Sequence, residues 1–86
     1  MDEIKTIVKN YILQTFLPDE DPEVLTDSTS LIRGGFLNSI NTLKLISFLE
    51  QRFQFETEAH EVSEENFDTL SDIANFVKSK LNHNNK

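Results

Sequence analysis

The chain has 86 residues, with fifteen acidic and eight basic side chains and a formal net charge of −7. That length fits one small domain, and the absence of cysteine excludes disulfide bonds, thiolate metal sites and cysteine nucleophiles. The acidic balance argues against nucleic acid as a partner, and the lack of a long apolar run or a secretory leader pattern predicts a cytoplasmic chain that does not insert into membranes.

The first predicted helix begins at an N-cap at Asp2 and ends before Pro18, because proline lacks an amide donor. Its apolar residues recur every three or four positions, which is typical of one buried stripe on a helix. The stripe consists of Ile4, Ile7, Val8, Tyr11, Ile12 and Phe16.

A long connection follows, from Pro18 to Leu37. A loop of this length is unusual in a compact domain, so we expect its apolar residues to attach it to the core. Gly34 and Gly35 provide the backbone freedom for a sharp turn near its end. The apolar residues in question are Val24, Leu25, Leu31, Ile32, Phe36 and Leu37.

The second helix is predicted from Ser39 to Phe53, with Asn38 as its N-cap. Ile40 stands apart from the buried stripe near the helix start, and its spacing fits an exposed contact and a core position equally well. The predicted stripe comprises Leu43, Ile46, Leu49 and Phe53, widened by Leu45 and Phe48.

Two further helical segments complete the chain. Ser63 is expected to cap a single turn that ends at Phe67, and Thr69 to open a last helix with Asp72 three residues on. The pattern predicts an all-α, small four-helix bundle, with three main helices, one short helix and a long loop between helices one and two. Residues 1–81 form the domain, and residues 82–86 are expected to be a disordered C-terminal tail. The buried stripe of the last helix consists of Leu70, Ile73, Phe76, Val77 and Leu81.

The acidic residues do not predict a catalytic or metal site. Twelve of the fifteen lie in residues 19–27 and 56–72, a distribution typical of a solvated surface. The first group lacks the glycine and the twelve-residue ligand spacing of an EF-hand, and His60 has no second imidazole nearby in sequence. We therefore expect no catalytic residue, no metal site and no enzymatic activity.

Ser39 is the one residue whose position suggests a modification. It lies in the first turn of an amphipathic helix, directly after a glycine pair and Phe36–Asn38, so its hydroxyl is expected at the surface. The free amides and the dipole at that helix end also favour an attached phosphate ester. On position alone, an ordinary helix cap explains the serine better than a modified residue does.

Three stretches of the sequence resemble the acyl carrier protein and peptidyl carrier protein family. Residues 35–40, Gly-Phe-Leu-Asn-Ser-Ile, are similar to the Gly-x-x-Asp-Ser-Leu motif that opens the family's second helix. Residues 49–53 are similar to its Leu-Glu-x-x-Phe ending, and residues 66–77 to its closing Asn-Phe-x-Thr-Leu…Ile…Phe-Val pattern. The resemblance extends over nearly the whole chain, from the first helix to Leu81.

The resemblance implies that Ser39 accepts 4′-phosphopantetheine from a phosphopantetheinyl transferase. The terminal thiol of this arm would hold an acyl or aminoacyl group as a thioester, which would supply a sulfur to a chain without cysteine. Implied partners are the transferase and the acyl- or aminoacyl-loading and transferring enzymes, which would meet a discrete, monomeric carrier. The residues expected to face them are Leu37, Asn38, Ile40, Lys44 and Ser47.

Two departures from the family pattern indicate a specialised carrier. Asn38 replaces the usual aspartate, which keeps the helix cap but removes a charge that a transferase could recognise. Residues 39–53 carry Lys44 and Arg52 against Glu50, where fatty-acid carriers have a strongly acidic helix. We therefore expect service in a secondary-metabolite, aminoacyl or modification pathway, such as polyketide or nonribosomal peptide synthesis, rather than in bulk fatty-acid biosynthesis.

Two other functions compete with the carrier interpretation. The first is an unmodified helical interaction module whose acidic surface binds a basic partner. The second is a small hydrolase, which would have to act without any added arm.

Overall fold

The computed structural model describes residues 3–84, and in that range the chain is all-helical with no strand. The predicted four-helix fold, with three main helices and one short helix, is confirmed. None of the helices in the described range is long and apolar enough to cross a membrane. The helices are α1 (Glu3–Thr15), α2 (Ser39–Phe53), α3 (Glu64–Phe67) and α4 (Leu70–Asn84), with 3₁₀ turns at Pro22–Val24 and Ala59–Glu61.

The core lies where α1, α2 and α4 meet, with α1 packed mainly on α4 and α2 in contact with both. Burying each large aliphatic or phenyl side chain there contributes about 1.5–3 kcal/mol. Because the connecting segments also supply core residues, they are held against the helices. The buried residues are Val8, Ile12, Leu25, Leu31, Leu37, Leu45, Ile46, Leu49, Phe55, Phe67, Leu70, Ile73, Phe76 and Val77.

The predicted bounds of α2 are confirmed, whereas α4 is longer than predicted. α2 ends at Gln54, which adopts the left-handed conformation (φ 59°) and donates its backbone N–H to the Glu50 carbonyl. α4 continues to Asn84, three residues beyond the predicted end of the domain at residue 81. Extending an existing helix adds one hydrogen bond per residue without a new nucleation cost. The predicted cap Asp2 and residues 85–86 lie outside the described residues.

The buried face of α2 differs from the predicted stripe at one position. Leu43 is 55% exposed, and Thr42 is buried instead, on the same face as Leu45 and Ile46. The Thr42 hydroxyl donates to the Asn38 carbonyl oxygen at 2.8 Å, so its polar group is satisfied in the interior. The prediction that Leu43 belongs to the core is therefore wrong, and its side chain lies at the surface.

The long loop is attached to the core as predicted, and Asp68 adds a polar attachment that the sequence did not indicate. Three loop residues, Leu25, Leu31 and Leu37, are buried, whereas Val24, also expected to attach the loop, is 37% exposed, so that part of the prediction is wrong. The Asp68 carboxylate accepts a hydrogen bond from the Ser30 hydroxyl at 2.6 Å and two from loop backbone N–H groups at 3.0 and 3.1 Å. A side chain just before α4 therefore holds a loop segment more than thirty residues earlier in the chain.

These contacts change the acidity of Asp68. Partial burial on its own raises the pKa of the carboxyl, but the hydrogen bonds from Ser30 and the loop backbone outweigh it and hold that pKa below its ordinary value. The carboxylate is therefore the form that the folded loop stabilises.

The glycine pair makes the turn that leads into α2. Gly35 has φ +86°, a conformation that side chains with a Cβ adopt only with strain. A Cβ on Gly34 would collide with the backbone carbonyl oxygen of Ser30. The same oxygen accepts the Gly34 N–H at 3.0 Å. Both positions require glycine, for different reasons, and the predicted turn is confirmed.

The start of α4 is capped as predicted, but the start of α3 is not. The Thr69 hydroxyl accepts the Asp72 backbone N–H at 3.0 Å. Ser63 precedes α3, yet its side chain makes no capping hydrogen bond, so that prediction is wrong. Because the Asn66 side-chain amide donates to the Glu61 carbonyl oxygen at 2.9 Å, the short helix is tied to the 3₁₀ turn before it.

Candidate functional site

Asn38 caps α2, and this leaves Ser39 outside the cap. Asn38 has an extended backbone (φ −99°, ψ −177°), and its side-chain oxygen accepts the Asn41 N–H at 2.7 Å. Ser39 is the first residue of the helix, and it is exposed. The interpretation of Ser39 as the helix cap is therefore wrong, since Asn38 fills that role.

An apolar groove with a volume of about 550 Å³ adjoins Ser39. Both Ser39 and Thr42 contribute to it from α2, and Val62 lies on the opposite side, in the segment before α3. We call it the α2–α3 groove. Its volume falls within the range of small-molecule sites in proteins. The complete lining is Ile32, Leu37, Asn38, Ser39, Thr42, Leu43, Val62, Ser63 and Glu64.

Large apolar side chains are exposed beside Ser39. Ile40 is 66% exposed, Leu43 55% and Val62 39%. Ile40 follows Ser39 directly, and the other two line the α2–α3 groove. The sequence left open whether Ile40 is an exposed contact or a core residue, and its exposure excludes the core position. Apolar groups grouped around one polar residue are typical of an interaction site.

Four of the five residues predicted to face partners are exposed. Asn38, Ile40, Lys44 and Ser47 lie at the surface, whereas Leu37 is only 2% exposed. The placement of Leu37 on the partner-facing surface is a mistaken prediction. Its N–H donates to the Leu31 carbonyl oxygen at 2.8 Å, and its side chain packs in the core and forms part of the groove's buried wall.

The one carboxylate that lines the α2–α3 groove is paired. Glu64 accepts a hydrogen bond from the Arg33 guanidinium at 3.0 Å, and this bond, with the attraction of nearby carboxylates, raises the pKa of Arg33. The groove lining contains no histidine. Ser39 and this paired carboxylate are thus the two ionisable or nucleophilic side chains of the groove lining that bear most directly on its chemistry.

A second, smaller groove lies on the other side of the exposed part of α2. It has a volume of about 370 Å³, and in it Tyr11 of α1 stacks on Phe48 of α2 with ring centroids 4.0 Å apart. We call it the α1–α2 groove. Lys44, Ser47 and Gln51 complete its lining.

Sequence reasoning missed Leu43, Val62 and Glu64 as site residues. Leu43 lies three residues after Ile40, and this spacing places both on one side of the helix. That signal was available, although an apolar residue in an amphipathic helix is more often buried. The other two come from a segment separate in sequence, and no local pattern connects them with Ser39.

Within the described range, no group of three or more histidine, aspartate or glutamate side chains is placed to hold a metal ion. Comparison of the chain with models of known protein families and with curated proteins finds no match. The region around the start of α2 is thus distinguished by the exposed Ser39, the adjoining groove and the exposed apolar residues.

Proposed function

We propose that the chain is a cytoplasmic carrier domain that holds an acyl or aminoacyl group on a 4′-phosphopantetheine arm attached to Ser39. The observation that carries this proposal is that Ser39 is exposed at the first position of α2, while Asn38 alone caps the helix. The hydroxyl is therefore accessible to a modifying enzyme without loss of the cap. The resemblance of residues 35–40 to the carrier-protein motif also supports Ser39 as the attachment point.

The attachment requires a single exchange at phosphorus. The Ser39 oxygen forms a bond to the phosphorus of coenzyme A that carries the pantetheine arm, and the bond to adenosine 3′,5′-bisphosphate breaks. The hydroxyl proton passes to a base of the transferase. When bound, the arm supplies the thiol that holds the cargo as a thioester.

The start of α2 is suited to a phosphodiester. Amide groups at the beginning of a fifteen-residue helix, together with its dipole, stabilise a negative charge there. The first turn of α2 contains no acidic residue that would repel the phosphodiester. Asn38 holds this end of the helix in place through its hydrogen bond to Asn41.

The α2–α3 groove is suited to an apolar portion of the cargo or the arm. Leu37 and Thr42 form its buried wall, and Leu43 and Val62 are partly open to solvent. An acyl chain that covered the exposed residues would remove apolar surface from water, at roughly 25 cal/mol per Å². We propose no catalytic activity for the chain itself, since the one carboxylate of the groove lining, Glu64, is engaged by the Arg33 guanidinium.

The charge of α2 supports a specialised pathway. A helix with Lys44 and Arg52 against one glutamate lacks the acidity that attracts basic partner surfaces. We expect standard fatty-acid synthase enzymes to use the loaded protein poorly. Measuring their turnover of the loaded chain beside that of an ordinary acidic fatty-acid carrier tests this, and equal turnover would contradict the specialised assignment.

Intact-mass analysis tests the attachment. The purified protein is incubated with coenzyme A, Mg²⁺ and a broad-specificity phosphopantetheinyl transferase. We expect a gain of one phosphopantetheinyl group, no gain in Ser39→Ala, and a full gain in the control Ser79→Ala, which removes an exposed serine of α4. No gain in the wild-type chain, or a gain that survives Ser39→Ala, would defeat the carrier proposal and favour an unmodified interaction module.

A further inference from the structure

α2 presents a continuous exposed stripe that begins directly after Ser39. Each of its residues lies three or four positions from another member, which places them on one side of the helix. All of them are exposed, and they include two large apolar side chains, one cation and no carboxylate. We call this surface the α2 stripe: Ile40, Leu43, Lys44, Ser47 and Gln51.

The glutamate of α2 does not neutralise this surface. Glu50 is half-buried, and its carboxylate accepts the Thr57 backbone N–H at 2.7 Å, which directs it to the segment after the helix. Lys44 has no ion-pair partner among residues 3–84, so its charge faces solvent uncompensated. The α2 stripe therefore combines apolar groups with a positive charge.

The net charge of −7 comes from other parts of the molecule. Residues 16–38 and 54–69 contain eleven acidic residues and one arginine, whereas α1, α2 and α4 each have a formal charge of +1. Several of these acids already have a cationic partner. The pairs are Asp27 with Lys5, Glu61 with Lys80, and Glu64 with Arg33, each at 3.0 Å.

Screening makes the local charge decisive for a docked partner. At physiological ionic strength, charges in water more than about 8 Å apart interact weakly. A partner that covers the α2 stripe meets Lys44 directly, and the carboxylate that lines the adjoining groove, Glu64, is already paired with Arg33. The net charge of −7 predicts a partner with a basic surface, whereas the α2 stripe predicts a partner with an acidic surface.

We infer that the α2 stripe docks on partner enzymes through an apolar socket with a carboxylate rim. The socket takes Ile40 and Leu43, and the rim faces Lys44. This inference rests on the proposed function, because an enzyme acting on an arm at Ser39 must approach the beginning of α2. Exposed aliphatic side chains that become fully desolvated in a pocket carry much of the affinity of an interface, and rim charges govern the association rate and the choice of partner.

The shape of the surface fits such a socket. The α2–α3 groove lies beside Leu43, and the α1–α2 groove lies beside Lys44, Ser47 and Gln51. The stripe thus stands between two depressions, one on each side. A partner can enclose Ile40 and Leu43 and extend its rim into both grooves.

Charge exchange between the two surfaces tests the inference. The probe is a phosphopantetheinyl transferase with a basic carrier-binding rim, used beside a variant of it whose rim lysines and arginines are changed to glutamate. The kcat/KM of Ser39 modification is measured for the wild-type chain, Lys44→Glu and Gln51→Glu at low and high salt. The control is Asn75→Asp, which adds a negative charge to an exposed position of α4.

We expect the wild-type chain to prefer the acid-rimmed enzyme about threefold to fivefold at low salt, and Lys44→Glu to reverse that preference. Gln51→Glu should shift the preference between the two enzymes in the same direction by a smaller factor. Asn75→Asp leaves it unchanged, and high salt reduces all of these differences. A wild-type preference for the basic-rimmed enzyme, or equal effects of Lys44→Glu and Asn75→Asp, would overturn the docking inference while the attachment at Ser39 stood.

Removal of the apolar contact tests the other half of the inference. Ile40→Ala should lower kcat/KM about tenfold with both enzymes, whereas Val24→Ala, at an exposed loop position, should have no effect. Circular dichroism checks that the variants remain folded. An Ile40→Ala variant with unchanged kcat/KM would refute the socket. Absence of modification with every enzyme would instead remove the proposed function, and the docking inference with it.

Discussion

Two neighbouring regions of the chain use serine in opposite ways. At Ser30, the hydroxyl donates to Asp68 in a cluster of hydrogen bonds that attaches the loop, and we call residues 30–33 with Asp68 the loop attachment. At Ser39, nine residues later, the side chain is exposed, and we call residues 38–43 the helix start.

The two regions show how polar groups are divided between stability and binding. In the loop attachment, each donor has an acceptor in the protein, and removal of one partner leaves the others unsatisfied. In the helix start, Asn38 provides the cap, while Ser39, Ile40 and Leu43 remain available to a partner or modifying enzyme. We therefore expect substitutions in the first region to change stability, and those in the second to change function.

The largest loss of stability should follow Asp68→Ala. The change removes the acceptor of the Ser30 hydroxyl and of two backbone N–H groups, so we expect the free energy of unfolding to fall by about 2–4 kcal/mol. Urea titration measures it. Asp19→Ala, at an exposed position, serves as the control and should change stability by less than about 0.5 kcal/mol. Equal effects of the two changes would show that the loop attachment contributes nothing.

Acid should weaken the same attachment. The pKa of Asp68 is lowered in the folded state, and so is that of Glu61, through its hydrogen bonds from the Glu58 backbone and from Lys80. A carboxyl with a lowered folded pKa stabilises the fold above its unfolded pKa of about 4 and loses that contribution as the pH falls through the lower, folded value. We expect the unfolding free energy to decline below about pH 4, and the decline to be shallower in Asp68→Asn. Parallel pH profiles for the two proteins would contradict the assignment to Asp68.

The cap at Asn38 should have a smaller effect on stability. Asn38→Ala removes the acceptor of the Asn41 N–H, which we expect to cost about 1 kcal/mol, whereas Asn38→Asp keeps an acceptor and should be nearly neutral. Thermal unfolding compares the three proteins. Asn38→Asp should also speed modification of Ser39 by transferases that recognise an aspartate at this position. If Asn38→Ala unfolded at the same temperature as the wild-type protein, the cap at Asn38 would contribute nothing to stability.

The smallest effect on stability should come from Ser39→Ala. Because the side chain is exposed and the cap belongs to Asn38, we expect a change within about 0.5 kcal/mol. Ser30→Ala is the matched serine replacement, and it should cost more because Asp68 loses a donor. Urea titration of the two variants separates the regions, and a larger loss for Ser39→Ala would reverse the division between them.

Much of the local structure could be predicted from sequence patterns. The bounds of α2, its cap at Asn38, the turn at Gly34 and Gly35, and the buried loop leucines all follow from short-range rules. A cap, a glycine turn and an amphipathic stripe depend on neighbours within a few residues, and this is why such rules succeed. The local errors included the cap at Ser63 and the burial of Leu43, the latter because helical spacing leaves the edge of a stripe ambiguous.

Contacts between distant segments could not be predicted in the same way. Asp68 reaches back to Ser30, and Val62 joins Ser39 in one groove, although nothing in the residues between them indicates either approach. Packing of α1, α2 and α4 around a common core brings those segments together, and it also turns Leu37 inward and Leu43 outward. Short-range patterning therefore accounts for the helices, the cap and the choice of Ser39, whereas the groove, the loop attachment and the exposed stripe arise from how the helices bury their shared apolar surface.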